Sequence, residues 1–366
     1  LLPKIKSMKT LLVDKSNLFS TDIQSFSQPE PKAGQTLFKV EKYAFTTNNI
    51  TYAVAAPQLN YWDFFPAPEP WGIIPVWGYA RVISSGHESI QQGDRYYGYF
   101  PMSEFLLVNP GKVNPMGFTD LSEHRQALSP VYNFYNNIAN DPGYHPESED
   151  YLPIIKPLFV TSFLNYHFLK EENFFESDQL ILTSASSKTG LALAFMLKNN
   201  QAADGKKIIG LTSAPNVEFV ENTGYYDQVI HYDEALSTLP QTGSVIIDFA
   251  GNADLLYQIY EKMGPELKYI SLIGLTDWTS GKAFKRIPVS RFFFAPTYAQ
   301  KKFQEWGVKA TNEAIAKVLS KFILDAQKWL ELTYIQDWPA LSELYLNMLK
   351  GKVDPSKGYI VKLING

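Results

Sequence analysis

The sequence predicts an α/β protein with two parts, an antiparallel β-domain and a doubly wound parallel sheet. Residues 36–54 alternate apolar and polar side chains, which is the period of a half-buried strand. From Gln179 onward, apolar strand-length runs alternate instead with helix-length stretches. The chain of 366 residues also exceeds one ordinary domain of about 100–200 residues. We therefore expect two domains, or one domain that contains another.

The antiparallel domain is predicted from further short runs that follow residues 36–54. Runs rich in valine and tyrosine occur at 79–84 and 104–108, and turn-forming pairs separate the runs. Between Asn109 and Asp150 this pattern gives way to Asn, Pro, Gly and acidic residues, which are typical of a loop. This segment is a candidate domain boundary or lid.

The parallel sheet is predicted from five strand-like runs that helix-like stretches separate. These runs are QLILTS, KKIIGL, QVIHY, SVIIDF and KYISLIGL. Such a βαβ series is typical of a doubly wound sheet. After about Ala310, two amphipathic helices precede a last alternating strand, GYIVKLI, which we expect to return to the sheet of the first domain.

Composition excludes several classes of function. The formal net charge of −4 leaves no basic excess for phosphates, so nucleic acid is not an expected partner. The absence of cysteine excludes disulfides, thiolate metal sites and cysteine nucleophiles. No run approaches the ~18 apolar residues of a spanning helix, so no membrane association and a cytoplasmic location are expected. Met8 is a candidate natural start, and Leu1 to Ser7 carry no weight in these predictions.

A loop of small residues follows the first strand of the series and opens an apolar helix. Its residues are Ser184, Ala185, Ser186, Ser187, Lys188, Thr189 and Gly190. In a dinucleotide-binding turn, small residues let the backbone approach a pyrophosphate at the helix N-terminus. Only the third glycine of that motif, Gly190, is present, and a capped helix after a buried strand explains the same residues. The place of the loop in the series favours a bound nucleotide.

Two nucleotide classes compete for this loop. Ser187-Lys188-Thr189 and the strand ending at Asp248 are similar to the parts of a P-loop, but both P-loop glycines are missing. For a dinucleotide, an acid at the end of the second strand favours NAD, whereas this chain has Thr212 and Ser213 there. NADP is therefore favoured. Lys188 is a candidate for the positive charge, or else a solvated lysine in the first turn of a helix.

Several segments, in this order, resemble the medium-chain dehydrogenase/reductase superfamily, in its zinc-independent branch of quinone and enoyl reductases. The matching segments are Gln92–Gly98, Ser103–Phe105, Lys156–Phe163, Gln228–Tyr232 and Val245–Gly251. The run from Ser184 to Thr189 most resembles a bacterial family of unknown function within that superfamily. The resemblance extends from about residue 34 to the end of the chain.

The resemblance implies a GroES-like substrate and catalytic domain at 1–150, completed by 310–366, and a Rossmann NADP-binding domain at 151–309. It also implies how the cofactor is bound. Thr161 lies near the nicotinamide carboxamide; Ser184 to Gly190 lie at the pyrophosphate; Thr212, Ser213 and Tyr232 surround the adenosine 2′-phosphate; Gly274 and Leu275 line the nicotinamide side. One departure is Val217, where the family often has a lysine.

The resemblance further implies a site without metal, because the zinc-ligand segments align with Thr46–Asn49 and Pro75–Trp77. Thr46, Asn49 and Tyr52, in a loop expected to face the nicotinamide across an interdomain cleft, are candidate donors to the substrate oxygen. Ordinary loop capping is the alternative role for them. The aromatic residues at 62–77 have two equally supported roles: they form an apolar wall or lid for the substrate, or they pack in the core.

The expected activity is NADPH-dependent reduction of an apolar enone, quinone or aldehyde. The alternative is a catalytically idle nucleotide-binding protein of the same fold, such as a redox sensor or scaffold, because no single catalytic acid stands out. The sequence leaves the oligomeric state open, a homodimer included.

Overall fold

The computed structural model describes residues 7–203, 205–273 and 287–363. The chain divides into two compact units. The first unit contains the residues up to Ile154 and those from Leu330 onward, and the second unit contains Ile155–Trp329.

Within the described residues, the first unit forms one three-stranded and one nine-stranded sheet. Its strands are β1 (Ser7–Asp14), β2 (Thr21–Ser27), β3 (Thr36–Phe45), β4 (Trp71–Gly72), β5 (Pro75–Ser85), β6 (Arg95–Pro101), β7 (Phe105–Val108), β8 (Pro110–Asn114), β9 (Gly117–Asp120), β10 (Phe134–Asn137) and, after the second unit, β17 (Glu331–Ile335) and β18 (Lys357–Val361). Strand β18 pairs antiparallel with β3, with Tyr359 opposite Phe45. The prediction that the last strand returns to the first sheet is confirmed.

The described helices are distributed over both units. They are α1 (Thr47–Leu59), α2 (Leu152–Glu171), α3 (Lys188–Lys198), α4 (Val217–Asn222), α5 (Ala235–Thr238), α6 (Ala253–Met263), α7 (Ala295–Trp306), α8 (Val308–Ala326) and α9 (Trp338–Leu349). Over the ranges that the structure describes, none of them has the length and apolarity needed to cross a membrane.

Helix α1 corrects the prediction that the strand pattern continues to residue 54. Strand β3 ends at Phe45, and α1 begins at Thr47. The buried positions of the helix include Asn49, Tyr52 and Ala53, which are spaced as i, i+3 and i+4. The alternation of residues 46–54 therefore coincides with a helical stripe, and the candidate donors lie at a helix start rather than in a loop.

The second unit contains a sheet whose described strands are all parallel. These strands are β11 (Gln179–Thr183), β12 (Lys207–Thr212), β13 (Gln228–His231), β14 (Ser244–Asp248), β15 (Leu267–Leu272) and β16 (Ser290–Phe292). Their order is β13-β12-β11-β14-β15-β16, the order of a doubly wound dinucleotide-binding sheet. The five predicted strands are present, and β16, only three residues long, was too short to predict.

The structure also corrects the second domain boundary. Residues 310–329, which the resemblance assigned to the first domain, belong to the second unit. The reason is the apolar face of α8, where the ring of Phe322 lies 5.2 Å from that of Phe195 and 5.7 Å from that of Phe159. Glu331 and Leu332, predicted to end a helix, instead begin strand β17, which lies beside β18.

Candidate functional site

The loop predicted to bind a nucleotide lies at the topological switch point of the parallel sheet. Strands β11 and β14 are neighbours, and the chain leaves them toward opposite edges of the sheet. Ligands of open parallel sheets bind beyond the carboxyl ends of the strands at this point. The loop follows Thr183, the last residue of β11, and leads directly into α3.

Ser187 begins helix α3 as its N-cap. Its Oγ accepts a hydrogen bond from the backbone N–H of Gly190 at 3.0 Å, and its own N–H donates to the carbonyl oxygen of Ser184 at 2.8 Å. A helix N-terminus carries a partial positive charge and unpaired N–H groups, and therefore suits an anion such as a pyrophosphate. The serine thus performs the capping that a glycine at this place cannot.

Gly190 has the packing role of the third glycine of a dinucleotide-binding turn. A Cβ atom at this position would lie 3.0 Å from the carbonyl oxygen of Ser184 and 3.1 Å from Oγ of Ser187. Both distances are shorter than ordinary Cβ contacts, so a side chain at this position requires the turn to shift by a few tenths of an ångström. Glycine therefore allows the closest packing of the helix against the strand.

Ala185 stands near the place of an absent glycine, and a glycine on the neighbouring strand accommodates it. Its methyl group is fully buried and lies 2.8 Å from the place that a Cβ atom on Gly210 would take. Real Cβ atoms do not approach so closely, so Ala185 fits only because β12 has glycine there. The sequence analysis missed Gly210, since the contact joins residues on different strands.

Two tyrosine hydroxyls contact the backbone of the turn. Ser184, with φ of +49°, donates its N–H to the hydroxyl of Tyr232 at 2.7 Å. The hydroxyl of Tyr226 donates to the carbonyl oxygen of Ala185 at 3.0 Å. Burial raises the pKa of Tyr232 to about 12, so it stays protonated at neutral pH. Tyr226 was not among the predicted site residues.

Asp248 lies at the end of β14, where the P-loop alternative requires a magnesium ligand. It is 1% exposed, and one carboxylate oxygen accepts from Oγ1 of Thr183 at 2.6 Å. The other oxygen accepts from the N–H of Gly251 at 2.9 Å. Burial raises the pKa of this carboxyl. Both oxygens are engaged by the protein, so Asp248 caps the turn after β14, and the geometry favours a dinucleotide over a magnesium nucleotide.

A neutral polar cluster joins the turn to the end of β12. Oγ of Ser186 accepts from Oγ1 of Thr212 at 3.3 Å and from Nδ2 of Asn216 at 3.2 Å. The same Nδ2 lies 3.1 Å from Oγ of Ser213. Three predicted residues thus come together, and Asn216, which joins them, was missed. A cluster of hydroxyl and amide groups does not repel a 2′-phosphate as a carboxylate does.

Three predicted cofactor residues remain, and only one of them, Thr161, lies within the described part of the chain. The hydroxyl oxygen of Thr161, on α2, lies 3.5 Å from the carbonyl oxygen of Pro157. The next residue, Ser162, donates to the carbonyl oxygen of Thr189 at 2.7 Å and so links α2 to the turn. Gly274 and Leu275 lie outside the described residues.

In the first unit, Asn49 holds the start of α1. It is 3% exposed, and its Oδ1 accepts from the backbone N–H of Thr46 at 2.7 Å and from the Thr46 hydroxyl at 3.2 Å. Its Nδ2 donates to the carbonyl oxygen of Pro75 at 2.8 Å. Both ends of the amide therefore have protein partners.

Tyr52 lies one helical turn further along, and its environment is aromatic. Its hydroxyl accepts from Nε1 of Trp77 at 3.2 Å, and its ring lies 4.7 Å from that of Tyr61. Burial raises the pKa of Tyr52, so its proton is retained at neutral pH. The side chains of Trp77 and Asn48 partly offset this rise in the pKa of Tyr52.

The proline-rich aromatic segment divides between the two roles that the sequence left open. Trp62, Phe64 and Phe65 are buried, and the ring of Phe64 packs 5.3 Å from that of Tyr99. They are core residues. Trp71 and Trp77 are only half-buried, so their rings are the members of this segment that a ligand can reach.

No cluster of metal ligands accompanies these residues in the described part of the chain. Over residues 7–203, 205–273 and 287–363, no group of three or more His, Asp or Glu side chains is placed to hold a metal ion. Thr46 and Val76 stand in the segments that the resemblance aligns with zinc ligands.

An antiparallel unit combined with a doubly wound unit and a capped turn is the architecture of the medium-chain dehydrogenases/reductases. Three solved structures share it, each covering 98% of this chain and matched over 100% of its own. They are CurA of Vibrio vulnificus in complex with NADPH (12% identity, TM-score 0.61), the quinone oxidoreductase of Coxiella burnetii (15%, 0.54) and the glucose dehydrogenase of Haloferax mediterranei in complex with NADP, Zn and gluconolactone (12%, 0.56). At these identities the likeness establishes the fold.

The chain belongs to the family described as protein of unknown function (DUF2855), whose model matches residues 43–354. No curated protein matches the sequence. The predicted resemblance to the superfamily is confirmed for the fold. The predicted resemblance to a family of unknown function is also confirmed.

Proposed function

We propose that this protein is a metal-free, NADPH-dependent oxidoreductase that reduces an apolar enone, quinone or aldehyde. The observation that carries the proposal is the turn at Ser184–Gly190, built as an anion site at the switch point of a dinucleotide-binding sheet. A further support is the fold shared with CurA, which was crystallised with NADPH.

The second unit binds the cofactor. The N-terminus of α3 receives the pyrophosphate, and Gly190 allows the approach. Thr212 and Ser213, at the end of β12 with no acid beside them, provide a neutral polar site for the 2′-phosphate, and Lys188 neutralises its charge. When bound, the reduced nicotinamide supplies a hydride to the substrate carbon.

Tyr52 is the residue that we assign to the substrate oxygen. Its hydroxyl retains its proton and is polarised by the N–H of Trp77, so it acts as a hydrogen-bond donor. Asn49 and Thr46, whose polar groups bond each other and Pro75, position Tyr52 by fixing the start of α1. A carbonyl or enone takes its final proton from this hydroxyl or from water.

Cofactor choice tests this assignment. Lys188→Ala is expected to weaken NADPH binding by about 10- to 100-fold, as for the loss of a charge-assisted contact, and to leave NADH binding unchanged. Lys198→Ala, at the other end of α3, is the matched control and should change neither. The measurement is nicotinamide fluorescence during titration, and equal titration curves of the wild type for NADPH and NADH would contradict the proposal.

A nucleotide-binding protein without turnover is the second candidate. The observation that favours it is the engagement of Thr46 and Asn49 in a helix cap, which leaves Tyr52 as the main candidate donor. Oxidation of NADPH with a panel of enones, quinones and aldehydes separates the two. Tight NADPH binding without turnover of any member favours the idle protein.

A further inference from the structure

The first two residues of the turn have all four of their backbone hydrogen-bonding groups paired. The N–H of Ser184 donates to Tyr232, and its carbonyl oxygen accepts from the N–H of Ser187 at 2.8 Å. The N–H of Ala185 donates to the carbonyl oxygen of Leu211 at 3.0 Å, and its own carbonyl oxygen accepts from Tyr226. Two of the four partners are therefore tyrosine hydroxyls.

These tyrosines flank one strand that is not adjacent to the turn. Tyr226 precedes β13 and Tyr232 follows it, while β12 lies between β13 and β11. Both side chains are half-buried, and the ring of Tyr226 lies 2.9 Å from the place of a Cβ atom on Gly210. The absence of a side chain at Gly210 thus admits both Ala185 and Tyr226.

The conformation of Ser184 requires such support. An L-residue in the left-handed region is strained, and glycine is the residue that adopts this region freely. This chain has serine with φ of +49° there, so other contacts must hold the conformation.

We propose that Tyr232 and Tyr226 are positioning residues that hold Ser184 and Ala185 in the conformation that receives the pyrophosphate of the cofactor. They replace the conformational freedom of the missing glycines with two hydroxyl contacts to the backbone. This inference rests on the proposed nucleotide binding. It also assigns Tyr232 a different role from the 2′-phosphate contact that the resemblance implies.

The two roles of Tyr232 predict different cofactor dependence. NADPH and NADH share the pyrophosphate, so loss of a contact that shapes the turn weakens both equally. Loss of a contact to the 2′-phosphate weakens NADPH alone. The apparent affinity falls with the fraction of protein whose turn has the binding conformation.

The experiment combines Tyr232→Phe with Ser184→Gly in a double-mutant cycle. Tyr232→Phe is expected to weaken NADPH and NADH by the same factor, about 5- to 100-fold, because the N–H of Ser184 loses its buried acceptor. Adding Ser184→Gly should recover at least about fivefold, since glycine adopts the positive φ without strain, while Ser184→Gly alone changes affinity little. Tyr260→Phe, on α6 of the same unit, is the matched control.

Hydrogen exchange of the backbone amides at residues 183–187 gives a readout that does not depend on added nucleotide. We expect these amides to exchange faster in Tyr232→Phe than in the control. In Tyr226→Phe the exchange should also be faster than in the control, but by less than in Tyr232→Phe. Unchanged exchange overturns the positioning role, and so does a loss confined to NADPH or the absence of any recovery with Ser184→Gly. Normal binding by Tyr232→Phe overturns this inference alone, whereas a wild type that binds neither cofactor overturns the proposed function as well.

Discussion

The turn before α3 and the start of α1 contain similar polar side chains, but these side chains differ in the hydrogen bonds that they make. Both are junctions that lead into a helix and are rich in serine, threonine or asparagine. At the turn, Ser187 caps α3 by accepting from the N–H of Gly190, and the hydroxyls of two tyrosines from elsewhere in the unit pair with the backbone. At α1, both ends of the Asn49 amide bond the chain itself. Residue type alone thus does not identify a binding group, and its existing hydrogen bonds must be known.

Gly190→Val is the change expected to have the largest effect, because it should abolish nucleotide binding. The new side chain meets the carbonyl oxygen of Ser184 and Oγ of Ser187, and it pushes α3 away from the turn. Titration with NADPH measures the loss, and circular dichroism checks that the fold is retained. Gly205→Val, at a position with no atom within 4 Å of a Cβ, controls for the added side chain, although its positive φ adds strain of its own. Wild-type affinity in folded Gly190→Val would place the nucleotide elsewhere.

Tyr52→Phe tests whether the hydroxyl of Tyr52 donates to the substrate oxygen. It should leave NADPH affinity unchanged and lower turnover by about 100- to 1000-fold, the usual effect of losing one donor to a developing oxyanion. The measurement is steady-state NADPH oxidation with whichever substrate of the panel is active. Unchanged turnover would assign Tyr52 to the aromatic core and favour the idle protein.

Asn49→Ala tests whether Asn49 stabilises the start of α1. We expect a loss of about 1–3 kcal/mol in the free energy of unfolding, because the N–H of Thr46 and the carbonyl oxygen of Pro75 lose their buried partner. Asn48→Ala, one residue earlier and only half-buried, should cost less stability. Chemical denaturation of both variants gives the values. Equal stability of the two variants would contradict the capping role.

A histidine on α2, His167, determines the pH range in which these variants are best compared. Burial, with the positive charges of Lys170 and Lys302, lowers the pKa of His167 to about 4, below its ordinary value near 6.5. The folded state therefore binds fewer protons than the unfolded state between these values, and its stability falls as the pH drops below about 6.5. The melting temperature of His167→Gln should fall less than that of the wild type between pH 7 and pH 5. Parallel curves would contradict this assignment.

Removal of metal is expected to have no effect at all. Thr46 and Val76 stand in the segments that the resemblance aligns with zinc ligands, and the chain contains no cysteine. Treatment with a chelator should leave both the melting temperature and any turnover unchanged. Stoichiometric zinc in the purified protein, found by elemental analysis, would falsify the metal-free site.

The sequence predicts the second unit more fully than the first. Strands β11 and β14 are buried along their whole length and therefore appear as continuous apolar runs. Helix α1 was missed because its buried stripe, which includes Asn49 and Tyr52, coincides with an alternating pattern. Strand β17 was missed because its pairing partner lies beyond α9, and no local pattern records that pairing.

The candidate site shows the same division between local and distant contacts. The run from Ser184 to Gly190 is recognisable because small residues follow a strand directly. Gly210, Tyr226 and Asn216 contact this run from the strand and loops beside it, so their roles follow from the order of strands in the sheet. The position of Tyr232 was predicted, but its contact with Ser184 depends on the positive φ of that serine.

The central claim is that the turn before α3 binds the pyrophosphate of NADPH, and one titration tests it most directly. NADPH and NADH are titrated into the wild-type protein and into Gly190→Val, and the enhancement of nicotinamide fluorescence is followed. The account predicts saturable binding of one NADPH per chain by the wild type, weaker binding of NADH, and no binding of either by a folded Gly190→Val variant. Absence of saturable binding by the wild type, or equal binding by both proteins, would contradict it.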